Sequence, residues 1–288
     1  YNDIGDYSEA IKYLQQQLTI SKEIKDRRGE SRALGNLGGS YLALGNNKQA
    51  LESYNQSLLI SQELRDAEGK ALALGGLGDV SLALGDYNQA IKFYEQSLAI
   101  YRQTQNRVYE GGILISLGNA YIDLGDYNRA TEFYTQSLQI GQEQKDRQNQ
   151  GISLNNLGTS FLKLGNLAEA EKKLLAAIEI WESIRTDLGS KDSEKISVFE
   201  QQARSYRSLQ EVLVAQNRTS AALEVAERGR ARAFFDLLTR RLNPQSEAKP
   251  TITYPTLEDI KKIAKAQEAT LVQYSIIYED SKESALYI

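Results

Sequence analysis

Three residue types are missing from this sequence altogether: its 288 residues include no cysteine, no histidine and no methionine. Without cysteine the chain forms no disulfide, carries no thiolate nucleophile and offers no zinc–thiolate site. Without histidine it lacks the imidazole base of serine–histidine or cysteine–histidine catalysis and an imidazole metal ligand. We therefore expect no catalytic residue, no metal site and no cofactor in this chain, and we expect that it is not an enzyme.

Long apolar runs and an excess of one charge are missing too. No run approaches the roughly 18 apolar residues of a membrane span, so we expect no membrane insertion. Lys and Arg number 34 against 38 Asp and Glu, a net charge of -4, which excludes a general nucleic-acid coat but not a local basic patch. The balance predicts a folded cytoplasmic protein. Because the chain begins at Tyr1 and contains no methionine, we also expect it to be a fragment.

The sequence does contain an internal repeat with a period of 40 residues. The glycine column of this repeat consists of Gly5, Gly45, Gly85, Gly125 and Gly165. The alanine column five residues later consists of Ala10, Ala50, Ala90, Ala130 and Ala170. A Leu–Gly pair recurs in phase, with its glycines at Gly38, Gly78, Gly118 and Gly158. Chance does not keep so many columns in register, so the chain is predicted to be a repeat protein.

Each repeat unit is predicted to form two helices. In the unit 28–64, Leu34, Leu37 and Tyr41 recur at three- and four-residue spacing, which is one helical stripe. Gly45 is expected to end the first helix and Asn46 to cap the second. The other predicted caps are Asp6, Asp86, Asp126 and Asn166 for second helices, and Asp26, Asp66, Asn106 and Asp146 for first helices.

The glycines in the middle of the first helices need a separate explanation. Glycine costs about 1 kcal/mol relative to alanine in a helix interior. A cost that recurs at Gly38, Gly78, Gly118 and Gly158 indicates a recurring gain. We expect a close approach of the paired helix near Ala50 and its equivalents.

These residues resemble the tetratricopeptide repeat, in which a large apolar residue, Leu–Gly, an aromatic residue, Ala and a second aromatic residue follow in order. Here the pattern is Leu34, Leu37–Gly38, Tyr41, Ala50 and Tyr54. The period exceeds the usual length of about 34 residues, which adds roughly 9 Å of helix to each unit. The long form resembles the repeats of kinesin light chain and of cell-polarity adaptors that bind GoLoco peptides. The resemblance implies an all-α fold, a right-handed superhelical solenoid of antiparallel helix pairs.

We predict that the repeat region covers 1–241. It comprises a leading half-repeat over 1–25, four regular repeats over about 28–186 and a divergent fifth pair over about 193–241. Amides beside aliphatic residues line one stripe of the first helices, which suits an extended peptide in a concave groove. The predicted groove residues are Arg32, Asn36, Asp79, Asn119, Ile122, Asn155, Asn156 and Thr159.

Asparagines in such places hold the peptide backbone in the resembled adaptors. Asn36, Asn119 and Asn156 match that pattern, whereas Asp79 and Gly39 depart from it. The alternative for these side chains is solvation, or hydrogen bonding between repeats, with no ligand.

The tail has a different composition. All three prolines fall in 242–256, which predicts a linker. Over 257–288 we expect a short helix and then two strands, 270–278 and 285–288. A lone two-stranded hairpin is marginal in water, so the segment is predicted to be the start of a truncated α/β domain.

The run ALEVAERGRARA at 222–233 and the phrase EATLVQY at 268–274 resemble proteins in which such repeats precede a CHAT domain, a caspase- and separase-like fold. That family uses a downstream His–Cys dyad. Neither residue type occurs here, so no catalytic role is carried over. The resemblance implies that a longer protein could be a peptidase or pseudo-peptidase, with this chain as its regulatory arm.

The sequence predicts a protein–protein interaction module that binds a peptide or protein segment in the groove. Regulation of a CHAT-type peptidase through an intramolecular contact, and self-association through the end repeats, stay open as alternatives. One basic cluster consists of Arg228, Arg230, Arg232, Arg240 and Arg241. These arginines could pair with carboxylates of the following domain, be solvated, or contact nucleic acid. We expect no nucleic-acid partner. The identity of the partner and the oligomeric state are not predicted.

Overall fold

The computed structural model describes residues 7–187, 192–229, 258, 262, 274–279 and 282–287. Ten helices have these bounds: α1 Tyr7–Glu23, α2 Arg27–Ala43, α3 Asn47–Glu63, α4 Ala67–Ala83, α5 Tyr87–Gln103, α6 Arg107–Asp123, α7 Tyr127–Glu143, α8 Arg147–Lys163, α9 Leu167–Asp187 and α10 Asp192–Ala215. A further helix, α11, covers 219–229. The chain divides into two compact units, Tyr1–Asn149 and Gln150–Ile288. The predicted all-α fold of helix pairs is confirmed.

The helix ends follow the capping residues of the repeat. Gly45 and its equivalents have φ values of +75°, +78°, +77° and +74°, the left-handed conformation in which glycine ends a helix. Asp26 accepts a hydrogen bond from the backbone N–H of Gly29 at 2.9 Å. Equivalent cap bonds are made by Asp66, Asp86, Asn106, Asp126, Asp146 and Asn166.

Two of the predicted caps need comment. Asn46 makes no side-chain cap hydrogen bond, so the prediction is wrong there, and its backbone angles do not explain the difference. Asp6 lies outside the described residues.

Three of the four mid-helix glycines lie against tyrosine rings. A Cβ atom on Gly78 would lie 2.4 Å from the ring of Tyr94, and one on Gly118 would lie 2.4 Å from the ring of Tyr134. Such distances leave no room for a side chain. In the fourth repeat a Cβ atom on Gly158 would lie 2.4 Å from Leu174 and 3.3 Å from the carbonyl oxygen of Ala170 in the alanine column. The predicted close approach of the paired helix is therefore present, and the nearest side chain is a tyrosine in three repeats and a leucine in the fourth.

Serine hydroxyls tie the two helices of a repeat together. Ser57 donates to the carbonyl of Ser31 at 3.0 Å, and Ser97 donates to that of Ala71 at 2.8 Å. Ser137 repeats the bond to Gly111 at 2.9 Å. These buried bonds recur every 40 residues and fix how each second helix lies on its first, a role that sequence reasoning did not identify.

The second unit has its own core, built by α9, α10 and α11 around Leu174, Leu209 and Val212. Trp181 is buried in this unit. At its end, Arg228 donates to both carboxylate oxygens of Glu182 at 3.1 and 3.2 Å. A carboxylate of α9, within the repeats, is thus one partner of Arg228. The other four arginines of the basic cluster lie outside the described residues.

A β-hairpin follows the helices in sequence. Strand β1, Tyr274–Glu279, pairs antiparallel with β2, Lys282–Tyr287, with Tyr274 opposite Tyr287 and Glu279 opposite Lys282. Strand β1 overlaps the predicted strand 270–278 and extends one residue past it, whereas β2 begins three residues before the predicted strand 285–288. The predicted linker 242–256 lies outside the described residues, as does 257–267 apart from two positions.

None of the helices that the structure describes is long and apolar enough to cross a membrane. Within the same residues no group of His, Cys, Asp or Glu could hold a metal ion.

Candidate functional site

A cleft with a volume of about 490 Å³ lies in the first unit, along the first helices of three consecutive repeats. Helices α2, α4 and α6 supply most of its lining. The second helices contribute Tyr54, Ser57 and Tyr101. Three of the predicted groove residues, Arg32, Asn36 and Asp79, line this cleft.

The cleft exists because several of its lining positions carry no side chain. A Cβ atom on Gly112 would meet nothing within 4 Å, and one on Gly35 would meet only the Ser57 hydroxyl at 3.7 Å. These glycines therefore differ from Gly78, which makes room for a tyrosine ring. They incur the helix-propensity cost of glycine without a packing gain inside the chain. Because Gly35 and Gly112 have no side chains, the space beside them stays open as part of the cleft.

Asp79, on α4, is one of the two carboxylates that line the cleft. The hydroxyl of Tyr94 donates to its Oδ1 at 2.7 Å, and no described residue forms a hydrogen bond with its other oxygen. Asp79 is exposed as a residue, but the protein atoms of the cleft crowd its carboxylate and remove part of that group's water. This desolvation raises the pKa of Asp79, and the hydrogen bond from Tyr94 opposes the rise. The pKa of Tyr94 is raised far above its usual value, by burial first and then by Asp79.

Tyr54 has a buried ring and an open hydroxyl. Its ring lies between Gly38 and Gly76, whose Cβ atoms would come within 2.8 and 2.2 Å of it. The side chain is 8% exposed and lines the cleft. In the next two repeats Asp79 and Asn119 accept the hydrogen bond of the equivalent tyrosine, but here the position is Gly39.

The Tyr54 hydroxyl therefore has no hydrogen-bond partner among the described residues. Burial, and then the nearby charge of Asp79, raise the pKa of Tyr54 to about 12. The hydroxyl is thus neutral at physiological pH, so it can donate one hydrogen bond and accept others.

The walls of the cleft carry positive charge and apolar surface. Arg28 lies 3.8 Å from Asp66, whereas Arg32 is exposed and forms no ion pair with any residue of the described chain. On the opposite side, the rings of Tyr101 and Tyr109 stack at 5.2 Å between centroids. Leu72, 46% exposed, adds an aliphatic surface. The cleft thus combines a cation, an anion and an apolar wall.

The remaining predicted residues do not line the cleft. Asn119 and Ile122 are half-buried on α6, and Oδ1 of Asn119 accepts from the Tyr134 hydroxyl at 2.7 Å. Asn119 therefore makes a hydrogen bond within its own repeat, whereas the predicted alternative was hydrogen bonding between repeats.

The predicted residues of the second unit lie on α8. Asn155 is only 2% exposed and accepts from the hydroxyl of Ser205 at 3.0 Å, so it does not reach an open surface and its placement in a groove is withdrawn. Asn156 and Thr159 are half-buried, and the Thr159 hydroxyl donates to the Asn156 carbonyl at 3.0 Å.

Sequence reasoning missed Tyr54 as a cleft residue because its ring belongs to the buried stripe. The sequence does contain one signal, which is that Gly39 stands where the later repeats have Asp79 and Asn119. Glycine has no side chain to accept a hydrogen bond, so the hydroxyl of Tyr54 lacks the acceptor that the equivalent tyrosines have.

A family model described as tetratricopeptide repeat matches residues 1–60, 29–103 and 109–183. The chain belongs to the tetratricopeptide repeat family. Tetratricopeptide repeats build helical solenoids that generally act as protein–protein interaction modules, which agrees with the fold of helix pairs described above.

Two curated relatives of this tetratricopeptide repeat chain are versions of tetratricopeptide repeat protein 28. The mouse protein is 38% identical over 110 residues, and the human protein is 37% identical over the same length. The match covers 38% of this chain, and the chain spans 4% of the length of either relative.

Solved structures share the fold at low sequence identity. BtubC (BKLC) from P. vanneervenii aligns with a TM-score of 0.69 at 18% identity, over 87% of this chain and 99% of its own. A kinesin light chain-type protein from Podosopora anserina with nearly identical TPR-like repeats gives 0.57 at 20% identity, over 73% and 96%. A Rap protein complexed with competence and sporulation factor gives 0.52 at 20% identity, over 77% and 62%. At these identities the likeness shows the fold alone.

Proposed function

We propose that this chain is a recognition module that binds a segment of another protein in the cleft formed by α2, α4 and α6. The observation that carries the proposal is the cleft itself, whose glycines keep about 490 Å³ open along three adjacent first helices. Helical glycines that serve no internal packing contact are costly unless the space they leave is used.

The lining supports an extended segment as the ligand. The amide of Asn36 can donate to one backbone carbonyl and accept from one backbone N–H, which an extended chain presents and a packed helix does not. Leu72 and the exposed ring of Tyr109 provide apolar surface for side chains. Arg32, which has no ion-pair partner in the part of the chain that the structure describes, provides a cation for an acidic or carbonyl group.

A structural neighbour also supports this mode of binding. The Rap protein that shares the fold was solved with the competence and sporulation factor bound. Binding of a separate partner by such helix pairs is therefore compatible with the architecture.

The test uses a phage library of random peptides panned on the full chain. Each enriched peptide is synthesised and its Kd measured on the wild-type chain and on two variants. Gly112→Phe fills the cleft at a position whose Cβ meets nothing. Ala99→Phe places the same side chain at an exposed position of α5 outside the cleft and serves as the control.

We expect Gly112→Phe to weaken peptide binding at least about tenfold, the equivalent of a loss of about 1.4 kcal/mol. Ala99→Phe should leave the Kd unchanged. Enrichment of no peptide, or equal binding by both variants, would remove the cleft as a binding site.

A second candidate function is a regulatory arm for a CHAT-type cysteine peptidase or pseudo-peptidase. The observation that favours it is the antiparallel hairpin β1–β2 that follows the repeats in sequence. A protein of this type would carry the hairpin as part of a larger sheet, because two strands alone are marginal. Co-purification of the chain with a CHAT domain supplied in trans would support it, and the absence of any association would argue against it.

A further inference from the structure

We infer that the cleft recognises a basic side chain, a lysine or arginine of the bound segment, and holds it between Asp79 and Tyr54. This inference rests on the proposed function and names the chemistry that the cleft selects.

The first argument is the state of the two polar groups. Asp79 keeps one carboxylate oxygen that no described residue satisfies, because Tyr94 donates only to Oδ1. Tyr54 keeps a hydroxyl that no described residue satisfies, because Gly39 stands where its acceptor would be. A side chain more than nine-tenths buried with an unused hydroxyl in a cleft calls for a ligand group or water there.

The second argument is the sign of the group that fits. Asp79 accepts hydrogen bonds and carries negative charge, and the Tyr54 oxygen accepts as well as donates. An ammonium or guanidinium group has several N–H donors and can donate to both oxygens at once. An acidic group would face the carboxylate of Asp79 and be repelled, and an apolar group would leave both oxygens without partners.

The arginines of the cleft do not neutralise Asp79. Arg28 lies beside Asp66. Arg32 occupies the position on α2 that Leu72 occupies on α4, seven residues before Asp79. Arg32 and Asp79 thus stand at different levels of their helices, seven residues or about 10 Å apart in helix position, and they form no ion pair with each other among the described residues.

The effect of burial on Asp79 agrees with this assignment. A carboxylate whose pKa is raised by its surroundings is ionised at a cost, and a cation from a ligand removes that cost. Binding of a basic side chain should therefore lower the pKa of Asp79.

The experiment pans the same peptide library on the wild-type full chain and on Asp79→Asn. Asparagine in this position is compatible with the fold, because Asn119 accepts the hydrogen bond of Tyr134 in the next repeat. Glu95→Gln removes one negative charge at an exposed position of α5 and controls for net charge. Gly112→Phe reports separately whether the cleft is used at all.

We expect the wild-type chain to enrich peptides with a lysine or arginine at one fixed position. Asp79→Asn should weaken the best of these peptides by about 10- to 100-fold, the range for a charge-assisted hydrogen bond. Glu95→Gln should leave the Kd unchanged. Norleucine in place of the peptide's lysine should weaken binding to the wild-type chain and have little further effect on Asp79→Asn.

The contrary outcomes distinguish failure of the basic side-chain inference from failure of the proposed function. If Gly112→Phe abolishes binding while the peptides carry no basic residue, or while Asp79→Asn binds them equally well, the inference is overturned and the proposed function stands. If Gly112→Phe has no effect, or no peptide is enriched, both are overturned.

Discussion

The hydroxyl of Tyr94 lies 2.7 Å from Oδ1 of Asp79, and the pair joins the second helix of one repeat to its first helix. Tyr134 and Asn119 form the same bond at 2.7 Å one repeat later. The repeat before lacks it, because Gly39 replaces the acceptor and leaves the hydroxyl of Tyr54 to the cleft. One residue thus leaves a tyrosine hydroxyl of the cleft without a hydrogen-bond partner among the described residues.

The first prediction compares the two kinds of tyrosine. Tyr134→Phe removes a hydroxyl that donates to Asn119 and should cost about 0.5–1.5 kcal/mol of stability. Tyr54→Phe removes a hydroxyl without a partner in the described chain and should cost less than about 0.5 kcal/mol. Thermal unfolding followed by circular dichroism measures both, and equal losses would show that the Tyr54 hydroxyl is bonded within the chain.

The second prediction compares two glycines of helix α6. A side chain on Gly118 would collide with the ring of Tyr134, so Gly118→Ala should lower stability by about 1–3 kcal/mol, and Gly118→Leu should unfold the neighbouring repeats. Gly112→Ala enters open space and should raise stability by up to about 1 kcal/mol. Melting temperatures that move in the same direction for both alanine variants would contradict this division of the glycines.

The third prediction concerns the serine ties. Ser97→Ala removes the buried hydrogen bond to the Ala71 carbonyl and should cost about 1 kcal/mol. Alanine fits the site, since Ala177 occupies the equivalent position of the fourth repeat. Thr135→Ala is the control, because its exposed hydroxyl bonds only to Thr131 of its own helix. A Ser97→Ala variant as stable as the control would remove the tie from the account.

The fourth prediction is a pH dependence of stability. Burial raises the pKa of Asp79 in the folded chain, so ionisation of Asp79 opposes folding. The penalty is absent below the pKa of an unfolded aspartate, about 3.9, and grows as the pH rises through the folded value. Asp79→Asn should therefore melt above the wild type at neutral pH, and the difference should shrink as the medium is acidified.

The other charged groups around Asp79 do not confuse this comparison. Tyr54 and Tyr94 have raised pKa values and titrate only at high pH. Asp66 also lines the cleft, and it is present in both variants. A neutral-pH melting temperature of Asp79→Asn below that of the wild type would show that Asp79 is stabilised and not strained by its surroundings.

The helices and most of their ends could be predicted from the sequence because they depend on local chemistry. Gly45 ends a helix through its own backbone angle, and Asp26 caps one through a bond three residues away. The family follows from the same columns. The close approach at the mid-helix glycines was predicted, but the tyrosine or leucine that makes it was not, because periodicity shows which residues recur but not which side chain reaches across.

The candidate site was predicted only in part, for a related reason. Arg32, Asn36 and Asp79 line the cleft because they share one helical face, which the sequence shows directly. Asn155 shares that face too, but Ser205 of α10 buries it, and α10 departs from the period. Whether a polar side chain is satisfied inside the fold depends on neighbours that the sequence does not place.

The most direct test is a crystal structure of the full chain with a library-selected peptide. The account predicts an extended peptide along α2, α4 and α6, with a lysine or arginine nitrogen within hydrogen-bond distance of both Asp79 and the Tyr54 hydroxyl. A peptide bound on another face of the helices, with the cleft holding only water, would contradict it.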